Sequence, residues 1–238
     1  MNDTSQHLRN RLLAAMRPED LERLVPHLQP MEMTAGVILY EPEDLLDTAY
    51  FPYDAVISIV SVMRDGGVAE MATVGREGVA GFAWPTSSGR APGRHLVQLP
   101  GSGARMPLQR LHAVAAESVD LQHLLLRYME VFLRETMQLA ACNALHPVEA
   151  RCARWILMTQ DRVGSPELRL TQEFLSEMLG VQRTTVSLVT RTLERQGLIR
   201  NRRGLIEVID RSGLEGASCE CYRVIEDNLG RLLPLAPE

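Results

Sequence analysis

Residues 171–193 read TQEFLSEMLGVQRTTVSLVTRTL, and the architecture follows from this stretch. Leu175 and Leu179 are four apart and share one helix face. Ser176 stands where a second helix crosses, and only a small side chain fits there. Gly180 supplies the permissive backbone of a sharp helix exit. Beyond it, Val181, Val186, Val189 and Leu193 recur at helical spacing and face inward. The pattern predicts two short helices joined at Gly180, the second spanning 182–196. Its outward face carries Arg183, Thr184, Thr185, Ser187, Leu188 and Arg191. An ordinary helical hairpin explains the apolar stripe but not the charge that follows it.

Residues 183–203 hold six arginines (183, 191, 195, 200, 202, 203) against one acid, Glu194, in a chain whose net charge is −5. A local surplus of five positive charges is what phosphate contacts require. The acids and arginines balance in residues 146–238, so the overall acidity masks a basic patch. After the second helix, GLIRNRRGLIEVID from Gly197 has two apolar runs around Asn201-Arg202-Arg203-Gly204. This reads as a β-hairpin with a basic tip, a wing. The partner expected from these features is double-stranded DNA, with the helix in the major groove. Arg183, Thr184, Thr185, Ser187 and Leu188 are then the candidate base contacts. Thr171, Gln172, Arg191, Arg200, Arg202 and Arg203 are the candidate phosphate contacts.

From Arg169 to Asp210 the chain resembles the C-terminal domain of the cyclic-AMP-receptor/fumarate-nitrate-reductase (CRP/FNR) regulators. In that family the recognition helix usually opens with Arg-Glu, followed four residues after the Glu by a further base-contacting residue. Here Arg183 matches the first position, Thr184 replaces the Glu, and Leu188 lies where Arg is common. The resemblance implies that Arg183 reads guanine, whose two major-groove acceptors fit its fork. The two departures imply a different half-site, with hydroxyl or methyl contacts from Thr184 and Thr185 and an apolar surface at Leu188.

The 238 residues allow one large or two modest domains. No apolar run approaches a membrane span, and MNDTSQHLRNRL lacks the apolar core of a signal peptide. A cytoplasmic protein without membrane contact is expected. The four cysteines are Cys142, Cys152, Cys219 and Cys221. The iron–sulfur members of the family carry an N-terminal cysteine cluster, which is missing here. Cys142 and Cys152 read as buried thiols in helices. A single C-terminal helix is expected to carry the stripe Leu214, Ser218, Cys221, Ile225, Leu229 and Leu232, so that Cys221 packs and Cys219 does not. No metal site and no cofactor follow from these spacings.

Upstream, residues 6–16 and 18–28 read as two helices, the second opened by Pro18. The period then changes to two, with β-rich runs at 37–40, 49–53, 56–63 and 68–74, and further short strands near 95–99 and 104–106. Short strands between Gly/Pro turns predict a β-roll or jelly roll. Residues 108–142 read as helix, and the stripe Leu121, Leu125, Tyr128, Phe132 and Leu139 suits either a two-helix dimer seam or packing on the β-domain. The hinge is placed at 143–146, before Pro147. The whole is an α+β chain: a β-roll sensor with flanking helices (1–116), a dimerisation helix and hinge (117–145), and a winged helix-turn-helix domain with C-terminal helix (146–238). This order resembles the rest of the CRP/FNR family.

The resemblance weakens at the nucleotide cassette. Nucleotide-binding members have a glycine-rich turn, a Gly-Glu whose acid holds the ribose, and an Arg-Ser or Arg-Thr pair on the cyclic phosphate. In GREGVAGFAWPTSSGRAPGRHLVQL from Gly75, Gly78 and Gly81 match the turn, but Phe82 stands in place of the acid and His95 follows Arg94. Cyclic-nucleotide binding is therefore not expected. Phe82, Arg94 and His95 remain a weak effector-pocket candidate, and Arg90, Arg94, His95 and Arg105 a weak anion site. No nucleophile with a partnered base, no metal-spaced His/Cys set and no phosphate loop is present, so no enzyme is expected. The function predicted is sequence-specific DNA binding by a homodimeric regulator on a two-fold operator, with RNA polymerase as a further candidate partner. The competing reading is a ligand or redox sensor whose DNA domain is secondary or lost.

Overall fold

The computed structural model describes residues 4–233. Three short helices open the chain: α1 (Thr4–His7), α2 (Arg11–Ala14) and α3 (Pro18–Leu24). Seven strands follow: β1 (Gln29–Met33), β2 (Ile38–Tyr40), β3 (Thr48–Pro52), β4 (Val56–Val62), β5 (Val68–Val74), β6 (Arg94–Leu99) and β7 (Gly101–Pro107). Then come α4 (Leu108–Glu117), the long α5 (Val119–Leu145) and α6 (Val148–Val163). The last part holds β8 (Glu167–Leu168), α7 (Gln172–Leu179), α8 (Arg183–Arg195), β9 (Ile199–Arg202), β10 (Leu205–Val208), α9 (Arg211–Ala217) and α10 (Cys221–Leu232). No helix among these residues is long and apolar enough to cross a membrane.

The first seven strands make two antiparallel sheets, ordered β1–β7–β3 and β2–β6–β4–β5. Met33, Ile57, Ile59, Val74 and Val97 form the core of this β-roll. Ala49, Phe51, Ala104 and Met106 face outward from the first sheet and pack on α2 to α5. Strand β4, VISIVSV, is buried at five consecutive positions because both its faces are covered. Ile57 and Ile59 point into the β-roll, whereas Val56 and Val60 join the core of the C-terminal domain beside Trp155 and Met178. The two halves of the molecule therefore share a hydrophobic seam along one strand.

A buried ion network fastens the same joint. Arg162 of α6 reaches Glu77 at 2.9 Å and Glu135 of α5 at 2.8 Å. Gly75 is required for this approach: a Cβ there would lie 2.6 Å from the Arg162 side chain. Burial raises the Glu135 carboxyl. Burial also works against the Glu77 carboxylate, but the Arg162 charge and the Gly75 N–H outweigh it and lower that pKa.

Several boundaries differ from the sequence expectation. The helix expected over 6–16 is two pieces, because the buried Asn10 side chain caps α2 through Leu13 N–H. Its amide also donates to the carbonyls of Pro52 and Gly78. The helix expected over 108–142 breaks at Ser118, which caps α5 and donates to Asp20 at 2.8 Å. Helix α5 continues to Leu145, so the expected hinge shrinks to His146 and Pro147, with His146 extended as the residue before proline must be. The C-terminal helix is interrupted after Ala217.

Candidate nucleic-acid interface

The helix-turn-helix forms where its residues require it. Thr171 Oγ1 accepts from Phe174 N–H and starts α7. Gly180 ends it in the left-handed region, φ 63° and ψ 38°. Leu175, Leu179, Val186, Val189 and Leu193 are buried together, Val181 packs on them, and Ser176 is buried at the crossing. The wing is the hairpin β9–β10 turned at Arg203-Gly204, and β8 adds a third strand on the β10 side.

Arg183, Thr184, Leu188 and Arg191 are exposed on α8, and Arg202 and Arg203 at the wing tip. Leu188 is 66% exposed, a strong bias for a leucine on a polar helix face. Thr185 and Ser187 are half-buried. Ser187 Oγ lies 2.6 Å from Gln172 Oε1 and 3.0 Å from the Arg183 carbonyl, so it braces α7 against α8. Thr171, Gln172, Arg183, Arg191, Arg202 and Arg203 line one cleft of about 530 Å³ between the helix and the wing, together with Glu173 and Glu194. The Glu194 carboxylate accepts from Asn201 N–H and fixes the wing to α8. Among the described residues Arg183, Arg191, Arg202 and Arg203 form no ion pair, whereas Arg200 is paired with Glu207 at 2.7 Å. The cleft is a cationic groove with fork-shaped donors at its rim, suited to a polyanion.

The expected seam residues fall elsewhere. Leu121, Leu125, Tyr128 and Leu139 are buried inside the chain's own core, and Phe132 packs on the β-roll. The side of α5 left open carries Val119, Leu126, Leu133 and Met137, each more than half exposed. The periodicity shows an apolar stripe but not which of two stripes meets the β-roll.

The expected effector-pocket residues do not converge either. Phe82 packs edge-on against Trp84 and His112. Arg94 pairs with Glu41 at 2.9 Å, and His95 is buried against Tyr40 with Nδ1 3.1 Å from the Gly93 carbonyl. Arg90 donates to the Glu43 carbonyl. The cassette-like glycines are filled by the chain itself. A Cβ at Gly78 would lie 2.3 Å from the Tyr128 ring, and one at Gly81 2.3 Å from the Thr48 carbonyl oxygen.

A second constellation was not expected. The ligating atoms of Cys142, His146, Cys219 and Cys221 all lie within 4.8 Å of one another. Cys219, expected to stay unpacked, is buried. It sits outside both C-terminal helices, so the alternation that separates residues two apart on a helix does not apply. The Cys142-x3-His146 spacing, one helical turn, is the signal that sequence reasoning passed over.

Residues 150–217 match the Crp-like helix-turn-helix domain. No curated protein sequence matches the chain. Among solved structures it is similar to FixK2 from Bradyrhizobium japonicum, with TM-score 0.69 and 16% identity over 81% of this chain and 98% of that one. It is also similar to the c-di-GMP responsive global regulator CLP of Xanthomonas campestris, with TM-score 0.64 and 17% identity over 81% and 99%. A CRP/FNR-family transcriptional regulator from Thermus thermophilus gives TM-score 0.62 and 20% identity over 80% and 98%. Fold and interface together define the class, a DNA-binding transcription regulator. The chain carries a Crp-like helix-turn-helix domain on the CRP/FNR fold of β-sheet cassette, long central helix and C-terminal reader.

Proposed function

We propose that the protein acts in the cytoplasm as a homodimeric regulator that binds a two-fold DNA operator sequence-specifically, with α8 in the major groove and the wing on the backbone. The observation that carries this reading is the groove where Arg183, Arg191, Arg202 and Arg203 converge without carboxylate partners. Arg183 opens α8, where recognition helices present base-reading side chains. Arg202 and Arg203 stand off on the wing, in reach of phosphates. Dimerisation uses the open side of α5. Val119, Leu126, Leu133 and Ala140 are seven apart and Met137 lies four after Leu133, the spacing of a paired-helix seam. Such a pair sets two copies of α8 about 34–36 Å apart, one turn of DNA.

The β-roll takes no cyclic nucleotide on this reading, because Tyr128 and the Thr48 carbonyl fill the space above Gly78 and Gly81. Calorimetric titration with cyclic AMP and cyclic GMP should give no saturable heat. Saturable micromolar binding would contradict that part of the reading. The DNA-binding part is tested by duplex binding as a function of salt. Affinity should fall linearly on logarithmic axes as phosphate-bound counterions are released. Salt-independent binding, or none, would leave only a sensor module.

A further inference from the structure

We propose that Cys142, His146, Cys219 and Cys221 hold one divalent metal ion of the zinc class, in a closed site that staples the end of α5 to the C-terminal domain. The four residues come from two distant segments. Cys142 and His146 are one turn apart at the end of α5, and Cys219 and Cys221 flank Glu220 at the break between α9 and α10. Cys142 Sγ is 3.5 Å from Cys219 Sγ, and Cys221 Sγ is 3.5 Å from His146 Nδ1. A tetrahedral ion with bonds of about 2.3 Å to sulfur and about 2.0 Å to nitrogen needs sulfur–sulfur edges of about 3.8 Å and sulfur–nitrogen edges of about 3.5 Å. Two edges of the cluster are already that short, and none exceeds 4.8 Å. Its atoms stand too close together to enclose several irons and sulfides. A Cys142–Cys219 disulfide would use two of the four groups and leave the convergence of the other two unexplained.

The surroundings fit an anionic metal–thiolate complex. His146 Nε2 lies 3.2 Å from the Glu220 carboxylate, which fixes the ring with Nδ1 toward the sulfurs. Gln138 Nε2 donates to Cys221 Sγ at 3.0 Å. Arg154 is buried and forms no ion pair among the described residues. Three thiolates outweigh a divalent ion by one negative charge, which this guanidinium would balance. Four protein ligands with no open position make a structural site rather than a catalytic one. The ligands lie on both sides of the His146–Pro147 link, so an ion there fixes the angle between α5 and the reading head. That last consequence rests on the DNA-binding function proposed above.

The test uses the full-length protein, reduced, kept free of oxygen and stripped with a chelator. Titration with Co2+ should saturate at one ion per chain, with intense visible bands of tetrahedral cobalt and a thiolate-to-cobalt charge-transfer band. One equivalent of Zn2+ should bleach both. Cys142→Ser and Cys219→Ser should lose the charge-transfer intensity. Glu220→Gln is a surface change that leaves the ligands in place, and it should weaken cobalt binding by about tenfold or more. Weak octahedral cobalt spectra, no saturation, or unchanged binding in C219S would each overturn the site. Zinc-loaded and stripped protein should differ in duplex affinity, and equal affinity would overturn the stapling role. A protein that binds cobalt as described but no DNA in either form would contradict the regulator reading and leave the metal site standing.

Discussion

Arg183 and Glu70 show how much single side chains decide. Arg183 projects from the first turn of α8 without a carboxylate partner. Arg183→Ala should cost about 1–3 kcal/mol on the preferred duplex and relax selectivity at one base position. Changing Arg202 or Arg203 to Ala should instead weaken all duplexes alike and flatten the salt slope by about one each. Glu70 sits at the joint of the two domains, accepting from Trp155 Nε1 and Ser58 Oγ. Burial pushes its pKa from the 4.5 of a free carboxyl up to about 7, against the pull of those bonds and of Arg154 and Arg162. The native state therefore holds this proton more tightly than the unfolded chain. Stability from Glu70 is present below the unfolded pKa and is lost as pH rises through about 7. In urea melts at about pH 5 and about pH 8, Glu70→Gln should gain relative to the native sequence at the higher pH. An unchanged difference between the two would show that the native state holds no extra proton at Glu70. The exposed place of Arg183 at the start of α8 was legible because it follows from the next ten residues. Glu70 was not, because its partner Trp155 lies in another domain.

At the scale of elements, α5 has two apolar stripes with opposite fates. Leu125 is fully buried against the β-roll, whereas Leu126 is 51% exposed. Leu125→Ala should cost about 2–5 kcal/mol of stability through the cavity it leaves. Leu126→Asp with Leu133→Asp should leave the melting midpoint nearly unchanged yet shift sedimentation from dimer to monomer. A double variant that stays dimeric would remove α5 from the interface. Sequence periodicity identified the helix and a stripe suited to a dimer seam or to packing on the β-domain, and the structure packs that stripe on the chain's own core. The choice between stripes depends on where Gly78 lets Tyr128 descend onto the β-roll and donate to the Val79 carbonyl, 49 residues away in the chain. The two-helix reader and its wing were read nearly to the residue, since the Thr171 cap, the Gly180 turn and the Arg203-Gly204 tip are all local signals. The breaks at Asn10, Ser118 and residues 218–220 were missed. Each depends on a side chain finding a partner remote in sequence, or on a helix ending without glycine or proline.

Across the whole molecule, the reading head is seated on its own β-roll by the β4 seam and by Arg162 between Glu77 and Glu135. Removing the cation alone leaves two buried carboxylates facing each other, so Arg162→Met should destabilise by about 3–5 kcal/mol. The loss should shrink when Glu77 and Glu135 are changed to Gln in the same chain, because the uncompensated charge is then gone. Two glycines serve this packing: Gly75 admits Arg162, and Gly78, one of the two cassette-like glycines, admits Tyr128. The proposal that α8 reads a DNA word rests on the Crp-like helix-turn-helix domain and on the cationic groove beside it. Selection of bound duplexes from a random pool, run in parallel with the native protein and Arg183→Ala, is the decisive test. The native protein should enrich a two-fold motif with half-sites about one helical turn apart, and Arg183→Ala should lose one position in each half. A pool that stays random, or a motif unchanged by Arg183→Ala, would contradict this reading.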